Sequence, residues 1–166
     1  MANTYTQIYL QVVFAVAGKA SLIHRKNKEE LFRYITGIIR NEGQKLLAIN
    51  GMPDHVHLLI GLKPDIALSG LVRDIKTSSS KFINSNRWNG TKFNWQEGFG
   101  AFSYGHSQLP SVIPYIQNQE KHHAKHSFKN EYFTLLRKFD IAFEDKYVFE
   151  FVEDAAPTEL GVSGGR

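Results

Sequence analysis

Along the first stretch of the chain, apolar and polar positions alternate. Ile8, Leu10, Val12, Phe14 and Val16 fall on one side, and Tyr5, Gln7, Tyr9, Gln11 and Val13 on the other. A period of two sustained over that length predicts a strand. The period then changes. In "NKEELFRYITGIIRNEG", Leu31, Ile35, Ile38 and Ile39 recur at helical spacing and Gly43 stands where a helix should stop. "QKLLAINGMPDHVHLLIGL" reads as two strands around a Gly-Met-Pro-Asp turn, and "ALSGLVRDIKTSSSKFINS" as a helix with a stripe of Leu68, Leu71, Ile75 and Phe82. "FNWQEGFGAFSY" is aromatic and punctuated by glycine, as a strand or strand pair would be, with Trp95, Phe99 and Phe102 as packing residues. "LPSVIPYIQNQEKHHAKHSF" and "NEYFTLLRKFDIAF" are helical in pattern.

The order strand, helix, strand, strand, helix, strand, followed by extra helices, predicts an α+β fold of the ferredoxin-like, RRM-like split βαβ kind. Two helices cover one face of an antiparallel sheet, the other face is left open, and an additional C-terminal helix follows. The first and third strands should lie together at the sheet centre. With 166 residues the chain has enough material for one full core, so residues 1–150 are expected to form one domain. Residues 151–166, ending "AAPTELGVSGGR", contain little that could pack and are expected to be a disordered tail. There is no internal repeat at the sequence level.

Composition narrows the partners. A formal charge of +4 and a pI near 9.2 favour a polyanion over an acidic surface. The absence of cysteine removes disulfide frameworks and thiolate metal sites and fits a reducing, cytoplasmic setting. No Lys or Arg precedes the first apolar run and Gln11 interrupts it, so it reads as a strand, not a secretory signal, and no stretch reaches the roughly 18 apolar residues of a membrane helix. Lys19, Arg25, Lys26 and Lys28 around the first helix, and Arg73, Lys76, Lys81 and Arg87 around the second, are candidates for phosphate contacts.

The candidate chemistry sits in "NGMPDHVHLLIG". Val56, Leu58 and Ile60 fall on the side the covering helices would bury, so His55 and His57 must share the opposite, open face with Gln7, Tyr9 and Gln11. Two imidazoles on one strand chelate an ion only if another element supplies a third donor. "SVIPYIQNQEKHH" places Tyr115 and Gln119 four apart, one above the other on a helix face, so that a hydroxyl and an amide oxygen can approach the histidines together.

"MPDHVHLLI" followed by "YIQNQEKHH" resembles the HUH-type single-tyrosine transposases of bacterial insertion sequences and their domesticated relatives, the repeat-associated tyrosine transposases. The resemblance spans roughly residues 4 to 150. It implies that His55, His57 and Gln119 are metal ligands and that Tyr115 is the nucleophile, carried by the C-terminal helix. It further implies that single-stranded DNA with hairpins beside the cleavage site is the substrate, and that the protein is a homodimer in which the tyrosine helix of one copy reaches the histidines of the other. "IKTSSSKFIN", with Lys76 and Lys81 and with Arg73 just before it, resembles the second helix that borders DNA. Lys19 stands near a place where relatives often carry arginine.

The chemistry is consistent with that family. A tyrosine oxygen attacking a phosphodiester forms a covalent 5′-phosphotyrosine that conserves the energy of the broken bond. A divalent ion on a non-bridging oxygen offsets the developing charge. Two neutral imidazoles and an amide oxygen leave the ion strongly Lewis-acidic, which suits Mg²⁺ or Mn²⁺; no cysteine or carboxylate is in view to close a zinc site. Tyr104 and Tyr132 are rival nucleophiles without a glutamine four residues on, Asp54 is expected in a turn or supporting role, and His106, His122, His123 and His126 as a solvated or phosphate-contacting group. Pro114, directly before Tyr115, implies either a helix that starts late, capped by Ser111, or one that bends there. A water-using metal phosphodiesterase, which needs no Tyr115, and a non-catalytic nucleic-acid-binding module stacking bases on Tyr5 and Tyr9 are the alternatives.

Overall fold

The computed structural model describes residues 3–152; most of the expected tail, from 153 on, lies outside them. Four strands and five α-helices make up its regular structure: β1 Tyr9–Ala15, α1 Lys28–Asn41, β2 Lys45–Met52, β3 His55–Gly61, α2 Leu68–Ser85, β4 Gly100–Tyr104, α3 Leu109–Gln117, α4 Gln119–His123 and α5 Phe128–Lys138. The sheet order is β2-β3-β1-β4 with every pairing antiparallel, so β1 and β3 lie at its centre as the pattern predicted. The fold is the α+β split βαβ arrangement.

Local signals explain the elements that frame the sheet. Glu29 and Glu30 in the first turn of α1 complement the helix dipole. At its other end Gly43 takes φ 78° and its N–H bonds the Arg40 carbonyl, the left-handed stop that favours glycine. On α2 the buried stripe runs Leu71, Val72, Ile75 and Ile83, while Phe82 is half-buried and stacks on Tyr34 with ring centroids 4.0 Å apart.

The alternation of β1 and β3 sorts two cores. Val12, Phe14, Val56, Leu58 and Ile60 pack against Leu31, Ile35 and Ile39 of α1 and Leu71 and Ile75 of α2. Val13, Ala15, Leu59 and Phe102 on the other face pack against Leu109, Val112 and Ile116 of α3 and Tyr132, Leu135 and Leu136 of α5. The expected open face is therefore covered. The physical reason is that Val13, Ala15, Leu59 and Phe102 make that face as apolar as a core, and α3 and α5 each carry an apolar stripe that must be buried against something. Residues Gln11 to Ala15 of β1 are consequently buried without a break.

Two close approaches set how the covering layer sits. A Cβ added at Gly51, opposite Val56, would come within 2.3 Å of the His55 carbonyl oxygen, so the β2–β3 hairpin tolerates only glycine there. A Cβ at Gly100 would meet the Tyr132 ring at 2.4–3.0 Å, so α5 lies directly on β4.

Candidate metal and tyrosine site

His55 and His57 open β3 immediately after the Pro53-Asp54 turn, paired with Ala15 and Val13 of β1. The period of two sends both rings to the same face, as expected, but both are fully buried beneath α4 and α5 and not on an uncovered surface. Asp54 serves the supporting role expected of it: its Oδ1 lies 2.7 Å from His55 Nδ1. The His55 ring also stacks on Phe128, centroids 3.9 Å apart and 3° from parallel.

Tyr115 and Gln119 approach from the other side, though not on one continuous helix. Pro110 occupies the first turn of α3 and Pro114 lies inside it, so Ser111 does not cap a late start. The helix stops at Asn118, where ψ is 31°, and α4 begins at Gln119. Asn50 of β2 donates to the Gln117 carbonyl at 2.8 Å and pins this break to the sheet. Tyr115 is half-buried with its ring edge-on to His57, centroids 6.0 Å apart. Gln119 is fully buried, its Oε1 3.1 Å from His55 Nε2 and 3.0 Å from His123 Nε2.

These side chains meet on a residue that the sequence reading did not single out, Glu131 of α5. Its Oε1 lies 3.0 Å from His57 Nε2, 3.0 Å from His123 Nε2 and 3.3 Å from His55 Nε2. Its Oε2 accepts from the Tyr115 hydroxyl and, at 3.0 Å, from Gln119 Nε2. The signal available in the sequence was position: Glu131 falls in the stripe Phe128, Tyr132, Leu135 of an amphipathic helix, where a carboxylate is buried with the apolar residues. His123 also departs from expectation. It is not part of a solvated group; it follows Gln119 by one helical turn, and its side chain is only 5% exposed.

One donor atom each from His55, His57, His123 and Glu131 lies within 4.8 Å of the others. Three imidazole nitrogens, a carboxylate oxygen and the Gln119 amide oxygen form a nitrogen-oxygen set that fits a divalent cation. The earlier exclusion of zinc, on the ground that no carboxylate was in view, therefore does not hold, because Glu131 is that carboxylate.

The protonation states follow from the contacts. Burial alone would push His55 down, but Asp54 at Nδ1 and Glu131 at Nε2 hold it up at about 9, so it is an imidazolium near neutrality. Burial pushes His57 down, and its Nδ1 faces Gln11 Nε2 at 2.8 Å, an amide nitrogen that can only donate, so His57 is neutral. Burial works to raise Glu131, and the imidazoles of His57, His123 and His55 more than offset it, holding the carboxylate far below its usual range. The Tyr115 hydroxyl is pushed well above the ordinary phenol value, first by burial and then by the Glu131 carboxylate. Of the rival tyrosines, Tyr104 donates to Gln11 Oε1 at 2.7 Å, and burial lifts both it and Tyr132 to about 12.

The basic candidates are placed elsewhere. Arg73 and Lys76 line a cleft of about 420 Å³ between α2 and residues 94–99, and α2 packs on the sheet face opposite the histidines. The Lys76 amine donates to the carbonyls of Gln96 and Gly98, and burial lowers it to about 8. Lys19 and Lys81 are exposed and outside that cleft. A second cleft of about 400 Å³ adjoins Tyr115, lined among others by Ser111, His122, His126, Asn130 and Lys138. Among the described residues, no helix is long and apolar enough to cross a membrane.

No curated protein matches this chain in sequence. Among solved structures it is similar to a candidate transposase from Deinococcus radiodurans R1, with TM-score 0.56 and 21% identity over 70% of this chain and 94% of that one. It is also similar to a REP-associated tyrosine transposase bound to a REP hairpin, with TM-score 0.53 and 19% identity over 70% of this chain and 68% of that one. At those identities the likeness establishes the fold. The family follows from a direct sequence match: the model of the IS200-like transposases covers residues 4–119, and the chain belongs to that family of HUH-type transposases.

Proposed function

We propose that this transposase cleaves and rejoins single-stranded DNA through a covalent bond to Tyr115, with a divalent ion held by His55, His57 and Gln119. The observation that carries the reading is convergence: the Tyr115 hydroxyl and the Gln119 amide meet Glu131 on one carboxylate oxygen while the Nε2 atoms of both histidines approach the other. Glu131 and His123 lie within the same donor set and are the further ligands at hand. Mn²⁺ suits mixed imidazole and oxygen donors and Mg²⁺ is the harder alternative. When bound, the ion supplies Lewis-acid polarisation of a non-bridging phosphate oxygen.

The residues of the chain supply the rest. The Tyr115 oxygen bonds to phosphorus, the bond from phosphorus to the 3′ oxygen breaks, and that oxygen leaves as a hydroxyl after taking a proton, with the 5′ phosphate kept on the tyrosine. A second 3′ hydroxyl reverses the step and restores Tyr115, so no ATP is required. Glu131 Oε2 accepts a hydrogen bond from the Tyr115 hydroxyl and so orients its oxygen, and the proton that the tyrosine sheds balances the one that the 3′ oxygen takes. Asp54 holds the His55 ring from Nδ1, and Phe128 fixes its plane.

Single-stranded DNA bearing a hairpin is the substrate we assign. The hairpin-bound relative supports it, and the cleft beside Tyr115 with Lys138, His122 and His126 offers a strand a route to the tyrosine. Arg73, Lys76, Lys19 and Lys81 would serve flanking phosphates on the far side of the sheet. A composite site shared between two copies was the expectation; within one chain, however, Tyr115 already reaches its own His57 and Glu131, because α3 folds back over β3 of the same sheet. The homodimer remains part of this proposal, with sites complete in each copy.

The test is cleavage of labelled, hairpin-bearing single-stranded DNA in Mn²⁺ or Mg²⁺. Cleavage should vanish in EDTA and in His55→Ala and His57→Ala proteins that retain their fold. Undiminished cleavage by either variant would contradict the ligand assignment.

A further inference from the structure

His57 differs from the other imidazoles of the cluster in the partner of its Nδ1. His55 Nδ1 faces the Asp54 carboxylate at 2.7 Å and His123 Nδ1 faces the His126 carbonyl at 2.6 Å. Both partners only accept, so both rings carry hydrogen at Nδ1 and turn Nε2 inward as the atom an ion would take, on His55 once its second proton is shed. His57 Nδ1 lies 2.8 Å from Gln11 Nε2, which only donates. Its hydrogen is therefore on Nε2, where it is given to Glu131 Oε1 at 3.0 Å. In that form His57 has no lone pair for a cation on its inward side.

In this orientation the Gln11 Oε1 accepts from the Tyr104 hydroxyl at 2.7 Å. Gln11 is fully buried on the central strand, opposite Leu59 and Phe102, on the face where its neighbours Val13 and Ala15 are apolar. A buried amide is costly there unless its groups are paired. Turning the amide by half a rotation exchanges the roles without moving the chain: Oε1 accepts from Nδ1–H of His57, and Nε2 donates to the Tyr104 oxygen. A hydroxyl both donates and accepts, and Tyr104 lines the cleft beside Tyr115, where its own hydrogen can turn to water.

We infer that Gln11, backed by Tyr104, is a positioning residue that decides which ring nitrogen of His57 carries the hydrogen, and so whether the site is closed on Glu131 or ready for a cation. The two amide orientations are two states of one relay. The inference rests on the proposal that His57 is a ligand.

Nitrogen-15 NMR of the metal-free protein in EDTA reads the relay directly. In the native chain His57 should show a pyridine-type Nδ1 and a pyrrole-type Nε2, and in Gln11→Glu, whose carboxylate only accepts, the pattern should reverse. Mn²⁺ titration supplies the second reading. Gln11→Leu should weaken binding by roughly 10–100-fold, the usual loss for a group that supports a ligand, whereas Gln11→Glu should strengthen it by about tenfold. A purely structural role predicts weakening by both substitutions. The inference is overturned if native metal-free His57 carries its hydrogen on Nδ1, or if Gln11→Glu weakens Mn²⁺ binding as Gln11→Leu does. Mn²⁺ binding unchanged in His57→Ala would overturn the ligand assignment beneath it, while binding lost in His57→Ala but unmoved by both Gln11 variants would overturn the relay alone. Should Gln11→Leu not fold, the native NMR measurement needs no variant.

Discussion

Glu131→Gln changes one atom at the centre of the site, and its effect can be worked out for the metal-free protein. The carboxylate Oε1 lies 3.0–3.3 Å from the Nε2 atoms of His55, His57 and His123, and Oε2 accepts from Tyr115 and Gln119. Glutamine can keep an oxygen toward the imidazoles, but its amide then faces Tyr115 and Gln119 Nε2. Tyr115 can turn and accept. Gln119 cannot turn without losing the contacts of its Oε1 to His55 and His123. The loss of charge also leaves the His55 imidazolium with Asp54 alone. His55 escapes by shedding its proton. With its pKa held at about 9, this costs at most about 3 kcal/mol at pH 7. Breaking a buried ion pair by removing one partner typically costs about 3–5 kcal/mol, so about 3 kcal/mol is the expected loss, or on the order of 6–12 °C in Tm. The pH dependence has a definite sign. A group whose folded pKa lies above its unfolded value, here about 9 against 6.5, stabilises fully below 6.5, and that contribution is lost as pH rises toward 9. The native protein in EDTA should lose stability across that window, and Glu131→Gln should show a shallower slope. Urea denaturation in EDTA at pH 6, 7, 8 and 9 measures both. A shift below about 0.5 kcal/mol at pH 7, with an unchanged pH slope, would refute the charge assignment of the cluster.

The pH dependence of metal binding should run the opposite way. Because an ion must displace the His55 proton, Mn²⁺ affinity should rise by up to about tenfold per unit toward pH 9, with proton release visible by calorimetry in two buffers; a flat profile would show that His55 is already neutral. Gly100→Ala should cost about 1–3 kcal/mol by driving a methyl into the Tyr132 ring, and it should weaken Mn²⁺ binding because α5 carries Glu131; a neutral outcome in urea denaturation would mean that α5 shifts freely. Mixing Tyr115→Phe with His57→Ala subunits should give no recovery of cleavage if, as proposed, the site is complete in each copy; recovery in demonstrated heterodimers would establish a site shared between copies.

What could be read from the sequence had a local period behind it. The alternation through Val12, Val13 and Phe14 and through His55, Val56 and His57 placed the histidines on one face, and the order of elements gave β1 and β3 at the centre. The cover over that face was not legible, because Leu59 and Phe102 acquire meaning as a second core only once α3 and α5 are known to pack there. The spacing of Tyr115 and Gln119 pointed to two side chains that do approach the histidines, yet the break at Asn118 between α3 and α4 is a tertiary effect, pinned by Asn50 from a distant strand. Glu131 was missed because an isolated glutamate on a helix is usually solvated. Only its place in the stripe Phe128, Tyr132, Leu135 marked it, and its partners lie far away in sequence at His55 and His57. Asp54 was expected in a turn or supporting role on the opposite face, and its contact with His55 Nδ1 became visible only in the fold, where the turn brings the carboxylate round to the ring.

Trapping the covalent adduct on a denaturing gel, with labelled single-stranded DNA carrying a hairpin and with Mn²⁺ present, tests the central claim. Tyr115→Phe removes a single oxygen and keeps the ring that lies edge-on to His57, so fold, Mn²⁺ binding and DNA binding should persist while the adduct disappears. The native protein should yield an adduct whose peptide maps to Tyr115 by mass spectrometry. An adduct that survives in Tyr115→Phe, or that maps to Tyr104 or Tyr132, would contradict the assignment, and cleavage without any adduct would point to water as the nucleophile.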